Sequence, residues 1–327
     1  MNNPNQSYII ENQLHLDFGE TLKKDVRLGL SGDQKWLPSK YFYDEVGSEL
    51  FEQICQTPEY YVTRTELELL ESIAPEVMAG FPEGELVELG SGAHWKIQRL
   101  IDAATPAQRD QLCYRPVDVS EDAIRGASEA LHQKFPNLKI RGLVQDFTKP
   151  ETPFVSERPV MMVLFGSSIG NFGFEEASKF LAQVSAGLKP GDRFLLSVDR
   201  VKPLPVLHAA YNDQAGKTAA FNKNVLTVLN RHLEADFSLD DFGHHAFFNR
   251  EDERVEMHLV AQRPVSAKVK DLGLDVNFEK GESIHTEISQ KYSQASALSM
   301  VEKAGLELVQ WYHAENEWFS IMELKKA

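Results

Sequence analysis

Residues 86–92 read Leu-Val-Glu-Leu-Gly-Ser-Gly, a short apolar run that ends in two glycines. The run has the length of a β-strand, and Ile97 and Leu100 beyond it stand at the spacing of a buried helix face. Because glycine has no Cβ, a turn built on Gly90 and Gly92 lets a ligand approach the backbone. The stretch therefore predicts a strand, a glycine turn and a helix, an arrangement that occurs both with and without a ligand.

Four more apolar runs follow along the chain. They occupy residues 114–119, 138–144, 160–165 and 193–198, and helical patterns lie between them. Ser120, which is followed by two acids, is a good helix start because its side chain caps free N–H groups. The run 160–165 is unbroken, as expected for a central parallel strand covered on both faces. Strands that alternate with helices predict a doubly wound parallel sheet, which binds ligands at the carboxyl ends of its strands.

The remaining parts of the chain have other patterns. Residues 207–233 predict one long, fairly polar helix, while 256–260 and 268–270 alternate as strands do. Near the end, a helical pattern over 297–304 is followed by two apolar stretches within 306–324. This ending is typical of methyltransferase-type sheets, in which a hairpin adds the last strands.

The composition excludes several classes of partner. The chain has 327 residues with 34 Lys and Arg against 49 Asp and Glu, a formal charge of −15. So acidic a surface disfavours nucleic acids and anionic lipids, and no apolar run is long enough to span a bilayer. The two cysteines are isolated, and the first residues lack the pattern of a secretion signal. We expect a cytoplasmic, monomeric enzyme that acts on a small molecule.

Three positions after the predicted strands suggest the ligand. The third glycine of the dinucleotide fingerprint is absent, since Trp95 stands in its place, which counts against NAD. Asp118 is placed either to accept hydrogen bonds from ribose hydroxyls or to cap a helix. Asp146 and Phe147 suit an adenine site, or equally a turn beside a core ring. Together these positions favour an adenosyl cofactor of the methionine type, S-adenosylmethionine (SAM).

Longer motifs extend over nearly the whole chain. They are 41–48 (Tyr-Phe-Tyr-Asp-Glu-Val-Gly-Ser), 58–66 (Pro-Glu-Tyr-Tyr-Val-Thr-Arg-Thr-Glu), 88–92 with Lys96, 166–171 (Gly-Ser-Ser-Ile-Gly-Asn), 210–213 (Ala-Tyr-Asn-Asp), 221–226 (Phe-Asn-Lys-Asn-Val-Leu), 256–259 (Glu-Met-His-Leu) and 286–289 (Thr-Glu-Ile-Ser). In these motifs and their order, the chain resembles the SAM-dependent histidine Nα-methyltransferases of ergothioneine biosynthesis.

The resemblance implies a fold and a reaction. The fold is a class I, Rossmann-like α/β methyltransferase sheet with a second, discontinuous α+β domain that binds the substrate. The methyltransferase core would comprise 62–200 plus 288–327, and the substrate-binding domain 1–61 plus 201–287. The reaction would use SAM for three successive methyl transfers to the α-amine of L-histidine, giving hercynine.

The resemblance also implies site residues. Those at the cofactor positions are Tyr43, Gly90, Lys96, Asp118, Asp146 and Phe147. Those at the histidine positions are Tyr61, Asn171, Tyr211, Met257, Glu287 and Ser289.

Methyl transfer from a sulfonium to an amine needs alignment and a neutral amine, with neither a metal nor a covalent intermediate. Tyr43 is a candidate for orienting the amine, or else a half-buried structural tyrosine. Glu287 would select histidine, because a carboxylate that faces an imidazole N–H makes a charge-assisted hydrogen bond worth about 1.5–3 kcal/mol. A solvated strand glutamate is the alternative for Glu287. Rings of Tyr43, Tyr61 or Phe221 would hold the cationic product by cation–π attraction.

The other residues that the resemblance assigns to substrate binding have side chains suited to contacts with histidine. Tyr61 would bond the second imidazole nitrogen, and Ser289 would support the selecting carboxylate. Asn171 and Tyr211 suit the substrate carboxylate, since they are neutral donors. Met257 would pack on the ring face, although a lone methionine is more often core filler.

We expect no metal. His244 and His245 are adjacent, so their side chains would diverge in a strand, and neither HxxxH nor HExxH spacing occurs. Surface or capping roles are the simpler interpretation of the histidines. Residues 93–95 (Ala-His-Trp) depart from the small and polar residues typical of the family, and the bulky Trp95 beside the cofactor turn either alters cofactor affinity or covers the helix.

Two rival functions remain. A related enzyme would methylate another amine, such as an indole-bearing amino acid, although an indole gains little from Glu287. A catalytically silent module would bind an adenosyl ligand as a partner or sensor, although such a module has no need for a substrate pocket.

Overall fold

The computed structural model describes residues 8–14, 18–148 and 156–327. The strands in these residues are β1 (Tyr8–Asn12), β2 (Lys35–Trp36), β3 (Gly84–Leu89), β4 (Leu112–Asp118), β5 (Lys139–Val144), β6 (Val160–Leu164), β7 (Arg193–Asp199), β8 (Phe242–Asn249), β9 (Arg254–Ala261), β10 (Val265–Val269), β11 (Leu274–Phe278), β12 (Ser283–Gln290), β13 (Leu306–His313) and β14 (Phe319–Lys326). The helices are α1 (Phe18–Leu30), α2 (Glu45–Cys55), α3 (Tyr61–Ala79), α4 (Trp95–Ala103), α5 (Pro106–Gln111), α6 (Glu121–Lys134), α7 (Phe174–Gly187), α8 (Leu204–Tyr211), α9 (Lys217–His232) and α10 (Gln294–Lys303).

The chain divides into two compact units. The first contains residues 8–14, Val62–Val201 and Tyr292–Ala327, and the second contains 18–61 and Lys202–Lys291. The division differs from the predicted one at the start of the chain and after residue 287. β1 pairs in parallel with β5 along its full length, so this strand extends the sheet of the first unit and is not part of the second.

The first unit is built on one eight-stranded sheet with the order β1-β5-β4-β3-β6-β7-β14-β13. The first six strands in this order are parallel, and β14 and β13 close the edge as an antiparallel hairpin. Every residue of β3 and β6 is buried, as their apolar runs require of central strands with both faces covered. The α/β class, the parallel sheet and the closing hairpin are therefore confirmed.

The second unit combines helices with two small sheets. Strands β2, β12, β9 and β8 form one sheet in that order, and β10 pairs with β11 in the other. Helix α9 packs on β8 and β9, and α2 packs on α9. This is the α+β arrangement that the resemblance implied.

The prediction of one helix over 207–233 is wrong. The structure has two helices, α8 and α9, with a turn between them. Both carboxylate oxygens of Asp213 accept hydrogen bonds from the first N–H groups of α9, those of Lys217 (2.8 Å) and Thr218 (2.7 Å). Gly216, with φ of 69°, adopts the left-handed conformation before α9. The apolar spacing runs through this break, which is why periodicity alone missed it.

Among the described residues, no helix combines the length and the apolar composition that crossing a bilayer requires.

Candidate active site

The glycine turn after β3 has the open backbone that its sequence indicated. Gly90 and Gly92 have φ of 67° and 42°, and the N–H of Gly90 donates to the carbonyl of Val117 on β4 (2.8 Å). A Cβ at Gly90 would stand 3.4 Å from the ring of Phe147, which follows β5. The turn is therefore bonded to β4 and lies next to Phe147, and a side chain at Gly90 would be strained and would contact Phe147.

Asp118, at the end of β4, organises this turn. One carboxylate oxygen accepts from the N–H of Gly92 (3.2 Å), and the other accepts from the N–H of Ser120 (2.9 Å), the residue that caps α6. Burial raises the pKa of Asp118, although the backbone N–H bonds oppose it. The predicted helix start at Ser120 is confirmed. The carboxylate keeps further lone pairs for a ligand.

The two residues after β5 differ in their surroundings. Asp146 accepts from the N–H (3.1 Å) and the hydroxyl (2.6 Å) of Thr148, which is the turn geometry that the sequence left open. Phe147 is partly buried beside Gly90 and makes an edge contact with Phe180 at 6.0 Å between ring centroids. A flat apolar surface thus lies next to the glycine turn.

Lys96, on α4, is held by a buried carboxylate that the sequence analysis left without a role. Its Nζ lies 2.9 Å from one oxygen of Glu66, and the other oxygen accepts from the N–H of Gly166 (2.7 Å). Glu66 is fully buried on α3, where it stands among apolar positions such as Leu70. The available signal was an acid on an otherwise apolar helix face. Glu66 connects Lys96 to the end of β6.

Glu88, the acid of the glycine motif, is also buried, on β3. It accepts a hydrogen bond from the hydroxyl of Tyr114 at 2.5 Å. Burial raises the pKa of Glu88 to about 8, against the opposing effects of Tyr114 and Lys96. The group is therefore mostly protonated at neutral pH and adds little charge to the turn.

Asn171 ends a 3₁₀ turn, Ser168–Asn171, that follows β6, and its side chain is exposed. Ser167 before it has φ of 54°. Two hydrogen bonds with β7 fix Ser167: its N–H donates to Ser197 (3.0 Å), and its hydroxyl accepts from the N–H of Asp199 (2.8 Å). Asn171 belongs to the first unit, whereas the other residues predicted to bind the substrate histidine all belong to the second.

A β-bulge in β12 determines which way Glu287 faces. His285 pairs with His258 on β9, but Glu287 pairs with Met257, so Thr286 is an extra residue in the ladder. Without the bulge, Glu287 would share the face of His285, since side chains alternate along a strand. With it, Glu287 shares the face of Met257, which α9 covers. The structure thus brings Met257 and Glu287, two residues predicted to bind the substrate histidine, side by side.

Buried polar groups surround this face. The hydroxyl of Ser289 accepts from Tyr211 (2.8 Å) and from the ammonium of Lys291 (2.7 Å), and Lys291 also donates to Tyr211 (2.8 Å). Burial raises the pKa of Glu287 to about 7, and the positive charge of Lys291 opposes the shift. Because Ser289 accepts twice, its own proton is available to a third group. Tyr211 and Ser289, predicted separately, form one network.

Tyr61 has a similar partner. Its hydroxyl accepts from the ammonium of Lys202 (2.7 Å), and both side chains are buried. Lys202 and Lys291 were missed by the sequence analysis, although Lys291 stands two residues after Ser289. Lysines are seldom so buried, and here each ammonium bonds a tyrosine of the predicted site.

Aromatic rings line the same unit. The ring of Tyr43 makes edge contacts with Phe51 (5.6 Å) and Phe221 (5.4 Å), and Tyr60 contacts Tyr211 (6.3 Å). Tyr43 leaves 42% of its surface exposed, so part of the residue is open to solvent. The pKa of Tyr43 is raised well above its usual value, mainly because the protein buries its hydroxyl and also because Glu287 brings a negative charge nearby. Tyr43 and Phe221 are thus adjacent, as an aromatic lining requires.

The sheet order with its antiparallel hairpin, and the glycine turn flanked by Asp118 and Phe147, define a class I SAM-dependent methyltransferase. The sequence matches the SAM-dependent, histidine-specific methyltransferases over residues 22–326, and the chain belongs to this family.

Three relatives show the range of this similarity. The chain is 41% identical over 295 residues to a histidine N-alpha-methyltransferase of Mycolicibacterium smegmatis, covering 90% of this chain and 91% of that protein. It is 29% identical over 293 residues to an ergothioneine biosynthesis protein of Neurospora crassa, covering 86% of this chain and 32% of the larger protein. It is 26% identical over 298 residues to an L-tryptophan methyltransferase of Psilocybe serbica, covering 83% and 82% of the two chains.

Proposed function

We propose that this enzyme transfers three methyl groups in succession from SAM to the α-amine of L-histidine, giving hercynine for ergothioneine biosynthesis. The observation that carries the proposal is the bulge that aims Glu287 beside Met257, within a chain of the histidine-specific family. Membership of the family supports the substrate, and the relatives named for histidine methylation and for ergothioneine biosynthesis support the product and the pathway.

Glu287 recognises the imidazole ring. Its pKa of about 7 means that the carboxyl is partly ionised at neutral pH, and an imidazole N–H favours the ionised form. Such a bond contributes about 1.5–3 kcal/mol, and an amino acid without that N–H leaves a buried carboxylate unpaired. Met257 packs on the ring, and Tyr61, fixed by Lys202, bonds the second ring nitrogen.

The network around Lys291 orients the rest of the substrate. Asn171 donates to the substrate carboxylate, and so does Tyr211, whose hydroxyl proton turns to it from Ser289. The proton of Ser289 supports the Glu287 carboxylate, since Ser289 still accepts from Lys291. The buried ammonium also compensates the negative charge that the substrate carboxylate brings.

Cofactor binding is assigned to the first unit and Tyr43. The residues there fit SAM. Gly90 has no side chain, which leaves the space beside Phe147 open to a ligand, and Lys96 provides a cation for the methionine carboxylate. Asp118 accepts from the ribose hydroxyls, and Asp146 and Phe147 contact adenine. When bound, SAM would supply a sulfonium methyl group, which passes in line to a neutral amine as the S–CH3 bond breaks and the neutral thioether leaves.

Tyr43 orients the amine rather than deprotonating it. Its raised pKa keeps the hydroxyl protonated at neutral pH, so the oxygen accepts from an amine N–H without forming a phenolate. The rings of Tyr43 and Phe221 then stabilise the trimethylated cation through their faces.

An amino-acid panel tests this function directly. Purified protein with SAM is incubated with each amino acid, and products are read by mass spectrometry. We expect up to three methyl groups on L-histidine and none on the others. Preferential methylation of tryptophan would overturn the histidine assignment, and no turnover of any amine would favour a silent binding module.

A binding experiment tests the role of Glu287. The Glu287→Ala variant should lose histidine affinity about ten-fold or more while keeping its affinity for SAM, because a charge-assisted bond is removed. The matched control is Glu302→Ala, at an exposed glutamate on α10. Unchanged histidine binding by calorimetry would show that Glu287 does not face the substrate.

A further inference from the structure

The face of the β8–β9–β12 sheet opposite to Glu287 carries a row of histidines. His245, His258 and His285 are direct cross-strand partners on three adjacent strands, so their side chains share one face. The rings of His258 and His285 stack at 4.7 Å between centroids. His245 and His258 also border an open groove, which gives water and ions access to the row.

A carboxylate joins this row. Glu256 stands two residues before His258 and therefore points to the same face, and its Oε2 lies 3.3 Å from Nε2 of His258. One ligand atom from each of Glu256, His258 and His285 lies within 4.8 Å of the other two. Two imidazoles and a carboxylate are a donor set that binds divalent transition metals.

Each imidazole has a hydrogen-bond partner that leaves its other nitrogen for an ion. Nδ1 of His258 lies 3.2 Å from the hydroxyl of Ser283, so Nε2 faces Glu256. Nε2 of His285 lies 3.1 Å from the carbonyl of Glu287, so Nδ1 is the nitrogen that remains. Metal-binding histidines in proteins are oriented by such outer contacts.

The two oxygens of the Glu256 carboxylate likewise have different partners. Oε1 of Glu256 accepts from Asn249 (3.0 Å) and from Nε of Arg254 (2.8 Å), while among the described residues Oε2 is bonded only toward His258. Burial alone would raise the pKa of Glu256, but these three donors lower it to about 2. Burial lowers the pKa values of His258 and His285, so both rings are neutral at neutral pH. The Arg254 charge opposes a cation, and the ionised Glu256 offsets it.

We propose that Glu256, His258 and His285 bind one divalent transition-metal ion of the Zn²⁺ class, with water completing the coordination. The ion takes the position of the proton on Nε2 of His258, which moves to Nδ1 of the same ring and is donated to Ser283, so the imidazole stays neutral. With metal–nitrogen bonds of about 2.1 Å, tetrahedral ligand atoms lie about 3.4 Å apart, so the three groups must draw together. His285, which is half-buried, does so by turning its ring out of the stack.

Calorimetry with ZnCl₂ on chelator-treated full-length protein tests the site. We expect one Zn²⁺ per chain, and binding about ten-fold weaker or more in each of His258→Ala, His285→Ala and Glu256→Gln. The control is His208→Ala, at an exposed histidine on α8, which should bind as the unaltered protein does. Circular dichroism and SAM binding verify that each variant is folded.

Two results would overturn the proposal. One is the absence of stoichiometric Zn²⁺ binding by the unaltered protein, and the other is equal binding by the His258→Ala, His285→Ala double variant. A second readout uses Co²⁺, whose visible absorption reports nitrogen coordination. That band should appear with the unaltered protein and with His208→Ala, and it should be lost in the double variant.

Discussion

The carboxyl of Glu287 is largely covered by protein, which raises its pKa from the usual value of 4.5 to about 7. The folded protein therefore binds a proton here more tightly than the unfolded chain does. Stability falls as pH rises from about 4.5 to about 7 and stays lower above that range. The group favours binding of the substrate at a cost in stability.

The Glu287→Gln variant should accordingly be more stable than the unaltered protein at alkaline pH. We expect a gain of about 2 kcal/mol in the free energy of unfolding at about pH 8, most of which is lost at about pH 5. Urea denaturation at the two pH values measures it. The control, Glu302→Gln on α10, should show no such pH-dependent gain, and an equal gain at both pH values would contradict the assigned pKa.

Lys291 is the second residue with a separable effect. The Lys291→Met variant retains most of the side-chain volume but removes the charge and the donors to Tyr211 and Ser289. We expect histidine affinity to fall about ten- to a hundred-fold, since hydrogen bonds to a charged group contribute about 1.5–3 kcal/mol. Calorimetry at neutral pH measures this. Lys280→Met, at an exposed lysine, is the control, and equal affinities would show that Lys291 is only structural.

At the scale of elements, the sequence predicted what periodicity encodes. The run that became β6 is apolar at every position, residues 86–89 of β3 are apolar except for Glu88, and Ser120 has a local capping role. These features were therefore recognised without the rest of the chain. The bulge at Thr286 has no such signal, because one extra residue in a ladder is defined only by the strand opposite. The motif identified Glu287, but only pairing with β9 shows its direction.

The same limit applies to the turn after β6. Gly166 has φ of 77°, and a Cβ there would stand 2.8 Å from Nζ of Lys96, a contact that spacing in the sequence does not reveal. Gly166→Ala should therefore strain the backbone by about 1–2 kcal/mol and displace the ammonium. We expect SAM affinity to fall about ten-fold.

Calorimetric titration with SAM measures this loss, and the chain offers a matched control. Gly126, on α6, has nothing within 4 Å of an added Cβ. Gly126→Ala should keep SAM affinity and stabilise the helix by up to about 1 kcal/mol. If the two variants bound SAM equally, the contact between Gly166 and Lys96 would have no part in binding.

At the scale of the molecule, the residues proposed to bind the cofactor lie in the first unit, except for Tyr43. The residues proposed to bind histidine lie in the second unit, except for Asn171. Motif matches identified these sets because a motif is local in the chain. They did not identify Glu66, Lys202 or Lys291, whose roles depend on partners far away in sequence. Nor did they place β1, because an edge strand is defined by the strand it joins.

This division makes the two ligands separable in a stability measurement. A ligand that binds only the folded protein stabilises it, by about 2.7 kcal/mol at a hundred times its dissociation constant. Asp118→Asn should lose the increase in melting temperature caused by SAM and recover it only at higher SAM concentration. Glu287→Gln should keep the full SAM effect and lose the further increase caused by histidine with SAM saturating. If Glu287→Gln lost the SAM effect as well, Glu287 would act through the whole fold rather than on the imidazole.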